Sequence, residues 1–135
     1  MAVGLSFKNG KCLEAIKYYC DIFELDPPHK LIRYSDFEMY NFPKEVRDRI
    51  YNSKLEIYGN NVYLFDTTDD KNWVSGNNGR VVIETNSENL YKAYSKLKQE
   101  SKVLMQPQRI NKLLFTTLID KYMVFWQIIA TVDNE

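Results

Sequence analysis

The chain has 135 residues, enough for one domain that buries about two-thirds of its unfolded surface. Its 18 basic and 18 acidic side chains balance and form no basic stripe, which argues against a nucleic-acid partner. No apolar run reaches the roughly 18 residues of a membrane span, and the residues from Met1 to Lys8 lack the build of a signal peptide, so a cytoplasmic protein is the expectation.

The first strand is expected over residues 3–8. Asn9-Gly10 then supplies a turn, with Asn9 a candidate cap for a helix predicted over 13–24. Leu13, Ile16, Tyr19 or Cys20, and Phe23 fall on one stripe at helical spacing, while Lys11, Glu14, Lys17, Asp21 and Glu24 take the wet side. Pro27-Pro28 stops the helix, because proline cannot donate the helical hydrogen bond. Cys12 and Cys20 would have Cα atoms about 12 Å apart on it, and a disulfide needs less than about 7 Å. Both are therefore read as free thiols that pack a helix face, consistent with a reducing compartment.

A strand over 31–35 carries Arg33, and a loop over 36–50 holds one helical turn starting at Pro43. In the next strand, 53–58, Leu55 and Ile57 point one way; Lys54, Glu56 and Tyr58 point the other, on the side of Asn52. Gly59-Asn60-Asn61 turns into a strand over 62–66. Residues 66–79 are polar and glycine-bearing, with Trp73 in their middle, and read as a link.

A strand over 80–85 leads to a helix over 88–100, with Leu90, Ala93, Tyr94 and Leu97 on its stripe. Thr85 with Glu88, or Ser87 alone, is expected to cap it, and Lys96, Lys98 and Lys102 lie near its cation-favouring end. Strands follow over 103–105, 112–118 and 123–132. The last is apolar on both faces, as a central strand would be: Val124, Trp126, Ile128 and Ala130 share one side, and Met123, Phe125, Gln127 and Ile129 the other.

The order strand, helix, three strands thus occurs twice, at an offset of about 75–80 residues. The expected architecture is α+β: a single domain, 1–135, with module one over about 3–66, a linker over 67–79 and module two over about 80–132.

Candidate site residues carry two readings each. Arg33 suits a carboxylate or phosphate clamp, or a surface salt bridge. Asn52, Glu56 and Tyr58 share a strand face that either lines a cleft or is wet. Trp73 and Trp126 are stacking plates for an apolar ligand, or packing residues. Gln127, flanked by Phe125 and Met123, needs a hydrogen-bond partner from ligand, water or protein. Glu84 is a general base if buried, and a solvated strand end otherwise. The only histidine, His29, falls in a loop and reads as exposed. With one histidine, no Gly-rich phosphate loop and no Ser–His–Asp arrangement, the usual catalytic schemes find no base.

Several strings, in this order and spacing, resemble one family. Phe7-Lys8-Asn9-Gly10 before Glu14-Ala15-Ile16-Lys17-Tyr18-Tyr19, Ile32-Arg33-Tyr34-Ser35-Asp36, Ile50-Tyr51-Asn52-Ser53-Lys54-Leu55-Glu56-Ile57, Val82-Ile83-Glu84-Thr85, and Ile119-Asp120-Lys121-Tyr122 before Trp126 are similar to the PhnB-like branch of the glyoxalase/bleomycin-resistance/dioxygenase (vicinal oxygen chelate) superfamily, sometimes labelled demethylubiquinone-methyltransferase-like. The resemblance implies two βαβββ modules forming an incurved mixed sheet with a cleft, a homodimer, and a small molecule bound in the cleft.

Many members of that superfamily hold a divalent metal with ligands from the first and last strands of each module. Here those places offer Gly4, Leu5 and Ser6, then Leu64 and Asp66, then Arg80, a cation, and Gln127. Many members of the branch have a histidine where this chain has Asn52. One amide and one displaced carboxylate fall short of the three ligands a borderline metal wants, so no metal or other cofactor is expected. Ile110-Asn111-Lys112-Leu113-Leu114-Phe115 also replaces the branch's Trp-Gly pair and further glycines, which weakens any carried-over activity. The leading reading is a metal-free protein that binds or sequesters a small molecule in an aromatic cleft. A metal-dependent lyase, isomerase or dioxygenase, and an interaction module with a filled cleft, stand as alternatives.

Overall fold

A computed structural model of the chain describes residues 2–76 and 78–132. The chain divides into two compact units, Met1–Val74 and Ser75–Glu135. The first holds β1 (Val3–Phe7), α1 (Cys12–Phe23), β2 (Ile32–Arg33), α2 (Lys44–Arg47), β3 (Ile50–Ile57) and β4 (Asn60–Asp66). The second holds β5 (Val81–Asn86), α3 (Ser87–Leu97), β6 (Lys102–Ile110), β7 (Leu113–Ile119) and β8 (Phe125–Thr131).

Each unit builds one four-stranded mixed sheet, ordered β1-β4-β3-β2 in the first and β5-β8-β7-β6 in the second. In each, the opening strand runs parallel to the last, and the other pairings are antiparallel. A parallel pair needs a long crossover, and α1 and α3 begin it. The repeat read from the sequence is therefore present as one topology used twice.

Alternation decides which face of each sheet is covered. On β3, Ser53, Leu55 and Ile57 are buried, while Asn52, Lys54 and Glu56 face outward. Val62 and Leu64 of β4 join the buried side, against Ala15, Ile16, Tyr19 and Phe23 of α1. In the second unit Trp126, Ile128 and Ala130 of β8 meet Leu90, Ala93 and Leu97 of α3. Burying each large apolar side chain contributes about 1.5–3 kcal/mol, which is what holds each helix on its sheet.

Among the described residues each unit also buries one carboxylate. Asp66, 1 % exposed, accepts the N–H of Cys12 on Oδ1 (2.9 Å) and that of Ile50 on Oδ2 (2.8 Å), and its carbonyl takes the Tyr34 hydroxyl at 2.6 Å. It thereby ties the ends of β4, α1 and β3 together. Asp120 accepts the N–H groups of Tyr122 and Val124 on Oδ1, at 2.8 and 3.0 Å, and the Trp126 indole N–H on Oδ2 at 2.8 Å.

Several local expectations need correction. Lys11, not Asn9, precedes α1, and Asp66 fills the capping role from a distant strand. Asn9 instead adopts a left-handed turn (φ 57°) and donates its N–H to Asp70 at 2.8 Å. The helix ends at Phe23, ahead of the prolines, because Glu24 turns left-handed (φ 55°). Asn86 caps α3, accepting the Asn89 N–H at 2.8 Å, in place of Thr85 or Ser87. β2 keeps only two residues, since Asp36 accepts the Arg33 N–H at 2.8 Å and curls 34–36 into a 3-10 turn.

The hairpin turn between β3 and β4 is Tyr58-Gly59, both at positive φ (49° and 86°), the pattern of a type I′ turn. It leaves Asn60 and Asn61 in the strand. β6 runs nine residues instead of the three expected, because an edge strand with two register shifts tolerates Pro107 and non-alternating polar residues. The expected linker 67–79, whose position 77 lies outside the described residues, also differs. Its first part belongs to the first unit, held by Asp70 on Arg49 and Trp73 on Ser6. Cys12 and Cys20 are free and buried, as expected.

Candidate functional site

The outward face of the first sheet carries an open groove of about 500 Å³. Asn52, Lys54 and Glu56 of β3 form its floor at every second residue, with Tyr63 of β4 in register beside Lys54. Ile32 of β2 lies opposite Asn52 and closes one side. The segment after α1 brings His29 and Lys30 to the rim. Ser53 also reaches the groove, but its hydroxyl donates to the Leu64 carbonyl at 2.7 Å and serves the hairpin. The arrangement offers amide, phenol, ammonium, carboxylate and imidazole groups around a short apolar wall. That combination suits recognition of a small polar molecule.

Of the residues singled out from the sequence, Asn52 and Glu56 come together in this groove. Trp73 lies elsewhere in the first unit, where its indole N–H donates to the Ser6 hydroxyl at 3.1 Å and carbonyl at 3.2 Å, with the Lys8 ammonium 5.3 Å from the ring centroid. Tyr58 does not share the groove face. It sits in the hairpin turn, its ring edge-on to Phe23 with centroids 5.8 Å apart, and burial there pushes its hydroxyl pKa up. Arg33 points to the Asp48 carbonyl and borders a separate, smaller pocket beside Arg49 and Asp66. Phe125 and Gln127 are half-buried on the second sheet, on the side away from Trp126 and Ile128.

The groove does not match the expected aromatic lining, since Tyr63 is its one aromatic residue. The rings are used elsewhere: Phe7 and Tyr19 meet under α1, and Tyr34, Phe37, Phe42 and Tyr51 form an edge-to-face cluster. Lys54, Tyr63, Ile32 and Lys30 join the groove without having been singled out as candidates from the sequence. Lys54 was legible, because it alternates with Asn52 and Glu56. Lys30 and His29 were not, because only the chain's return after α1 brings them there.

The metal-donor candidates read from the sequence have other partners. Asp66 is turned into the helix side of the first unit and spends both oxygens on backbone N–H groups. Gln127 gives its amide oxygen to the Arg80 guanidinium at 3.2 Å, so a cation already stands at the one amide candidate. Among the described residues no three or more His, Cys, Asp or Glu side chains gather in a way that could hold a metal ion.

Outside the groove, Arg49 forms a two-pronged pair with Asp70, at 2.8 and 2.9 Å, and donates to the Thr67 carbonyl at 3.0 Å. This pair holds the Asp70 carboxyl below its usual range. Burial pushes the Asp66 carboxyl and the Cys12 thiol up. Cys12 is therefore a packing residue, not a nucleophile.

No protein-family model matches the sequence, and neither does any curated protein. Solved structures do. The PhnB protein of Bacillus cereus aligns over 98% of both chains with a TM-score of 0.72 at 21% identity. A Pseudomonas aeruginosa protein, PA1353, aligns over 98% of this chain and 99% of its own with a TM-score of 0.70 at 16% identity. The genomically encoded fosfomycin resistance protein FosX of Listeria monocytogenes aligns over 98% of this chain and 92% of its own, with a TM-score of 0.63 at 12% identity. A FosX mutant has also been solved with Mn(II) and 1S,2S-dihydroxypropylphosphonic acid. Two βαβββ units in the same strand order, matched along nearly the whole length of these structures, give this chain the glyoxalase/bleomycin-resistance fold.

Proposed function

We propose that this chain is a metal-free, PhnB-like protein of the glyoxalase/bleomycin-resistance type that binds or sequesters a small molecule. The observation that carries this reading is the open groove on β3 and β4, with polar groups converging on about 500 Å³. The fate of the candidate metal donors supports it: Asp66 is committed to backbone N–H groups and Gln127 to Arg80. We extend the reading to a homodimer in the cytoplasm. Among the described residues no helix is long and apolar enough to cross a membrane.

Metal analysis of the purified protein after dialysis tests the first half. Sub-stoichiometric metal is expected, and one Zn²⁺, Ni²⁺, Mn²⁺ or Fe²⁺ per chain that survives dialysis overturns it. A thermal-shift screen tests the second half. A ligand at 100 times its dissociation constant stabilises the folded state by about 2.7 kcal/mol. Light scattering of the full chain tests the dimer.

A metal-dependent lyase, isomerase or dioxygenase is the second reading, favoured by the Mn(II) in the FosX mutant of the same fold. An interaction module is the third, favoured by the exposed Met39 and Tyr40 (93 and 67 % exposed) beside the Tyr34–Phe42 ring pair.

A further inference from the structure

We propose that the groove selects a small organic anion, a carboxylate or phosphonate on a short apolar body; this names the ligand class of the binding reading above and rests on it. The groove gathers two lysines, Lys30 and Lys54, against one carboxylate, Glu56, in a chain whose overall charge is zero. Among the described residues no ion pair engages Lys30 or Lys54, so neither charge is neutralised by a neighbouring carboxylate. Two lysines thus line one hollow.

Lys54 is the centre of the site. It stands on β3 between Asn52 and Glu56 and in register with Tyr63. Same-face neighbours on a strand are about 6.5–7 Å apart, so an anion at Lys54 keeps clear of Glu56. Glu56 repels the anionic end and favours its placement toward the Asn52 end of the floor. The Asn52 amide and the Tyr63 hydroxyl can donate to the same anion. Pro28 and Ile32 supply apolar surface for the ligand's body. A strand, not a loop, carries Lys54, so the backbone beneath the central cation is fixed before the ligand arrives.

The test is an amide-resolved NMR titration of the full chain in low salt with benzoate, phenylphosphonate and the neutral isostere benzamide. Both anions are expected to shift the amides of Ile32, Asn52, Lys54 and Tyr63, with benzamide at least about tenfold weaker, the factor one charge-assisted hydrogen bond supplies. The variant Lys54→Gln, checked for an unchanged melting transition, should weaken the anions by about tenfold and leave benzamide unaffected. If Lys54→Gln melts early, Lys30→Gln replaces it and should still cut anion affinity. The ratio of benzoate to phenylphosphonate affinity tells which anion the groove prefers. Benzamide binding in the groove as tightly as benzoate overturns the anion class and leaves the binding reading standing. Anions that shift only residues outside the groove overturn the proposal as well. Failure of these probes and of a broad neutral library to move the groove amides removes both.

Discussion

Replacing Asp120 tests how one buried carboxylate holds the second unit. Asp120 is 2 % exposed and Trp126 fully buried, and the indole N–H reaches Oδ2 at 2.8 Å. Asp120→Asn keeps the shape and keeps Oδ1 as acceptor for the Tyr122 and Val124 N–H groups. It sets an amide NH₂ against the indole N–H, two donors facing each other. Losing a bond to a charged group and leaving a buried donor unmet costs about 2 kcal/mol. With a urea slope of about 1.5 kcal/mol/M, that moves the midpoint down by about 1.3 M. Trp126→Phe removes the donor instead, at the cost of a cavity and an under-used carboxylate. In the double variant the donor conflict vanishes, so the two single losses should exceed the joint loss by about 1–2 kcal/mol. Urea unfolding at pH 7, followed by circular dichroism in all four proteins, gives the coupling. A coupling below about 0.5 kcal/mol would show that the 2.8 Å contact does not stabilise the fold and would refute the reasoning.

Two carboxyls should give opposite pH dependences. Asp66 has a raised pKa through burial, so its contribution is full below about pH 4 and fades as pH rises through its folded value. The melting-temperature gap between wild type and Asp66→Asn should therefore widen in favour of wild type as pH falls; a narrowing gap contradicts the assignment. Asp70 has a lowered pKa through Arg49, so its contribution is present above about pH 4 and is lost as pH falls below it. Asp70→Asn should accordingly cost stability at pH 7, and that cost should shrink as pH falls below about 4, as read by paired thermal melts. Gly59→Ala places a Cβ at φ +86° with nothing within 4 Å of it, so strain acts alone and denaturant midpoints should report a loss of about 1 kcal/mol. Native protein should leave Cys12 unlabelled by iodoacetamide at pH 8, and urea should expose it; quick native labelling would show that its burial is wrong.

The candidate site was half legible. Asn52, Lys54 and Glu56 share a face by simple alternation, so their convergence could be read from β3 alone. Tyr58 continues that alternation by one more step and was misread for that reason. The chain leaves the strand at Ile57, and the positive φ of Tyr58 swings the ring onto Phe23. In the sequence Arg80 is a cation at a metal position and Gln127 an amide at another. Only the parallel register of β5 on β8 shows that one holds the other.

The linear sequence determined the helices, the central strands and the doubled module order, because those follow from periodicities of 3.6 and 2 within a dozen residues. Tertiary structure decided the cap on α1, the pin between Arg49 and Asp70, and the meeting of His29 and Lys30 with β3. Asp66 and Cys12 are 54 positions apart, and Arg49 and Asp70 are 21 apart. Contacts at such separations arise from which strands lie side by side. That choice is made by burying whole apolar faces, not by any local pattern around the residues that meet.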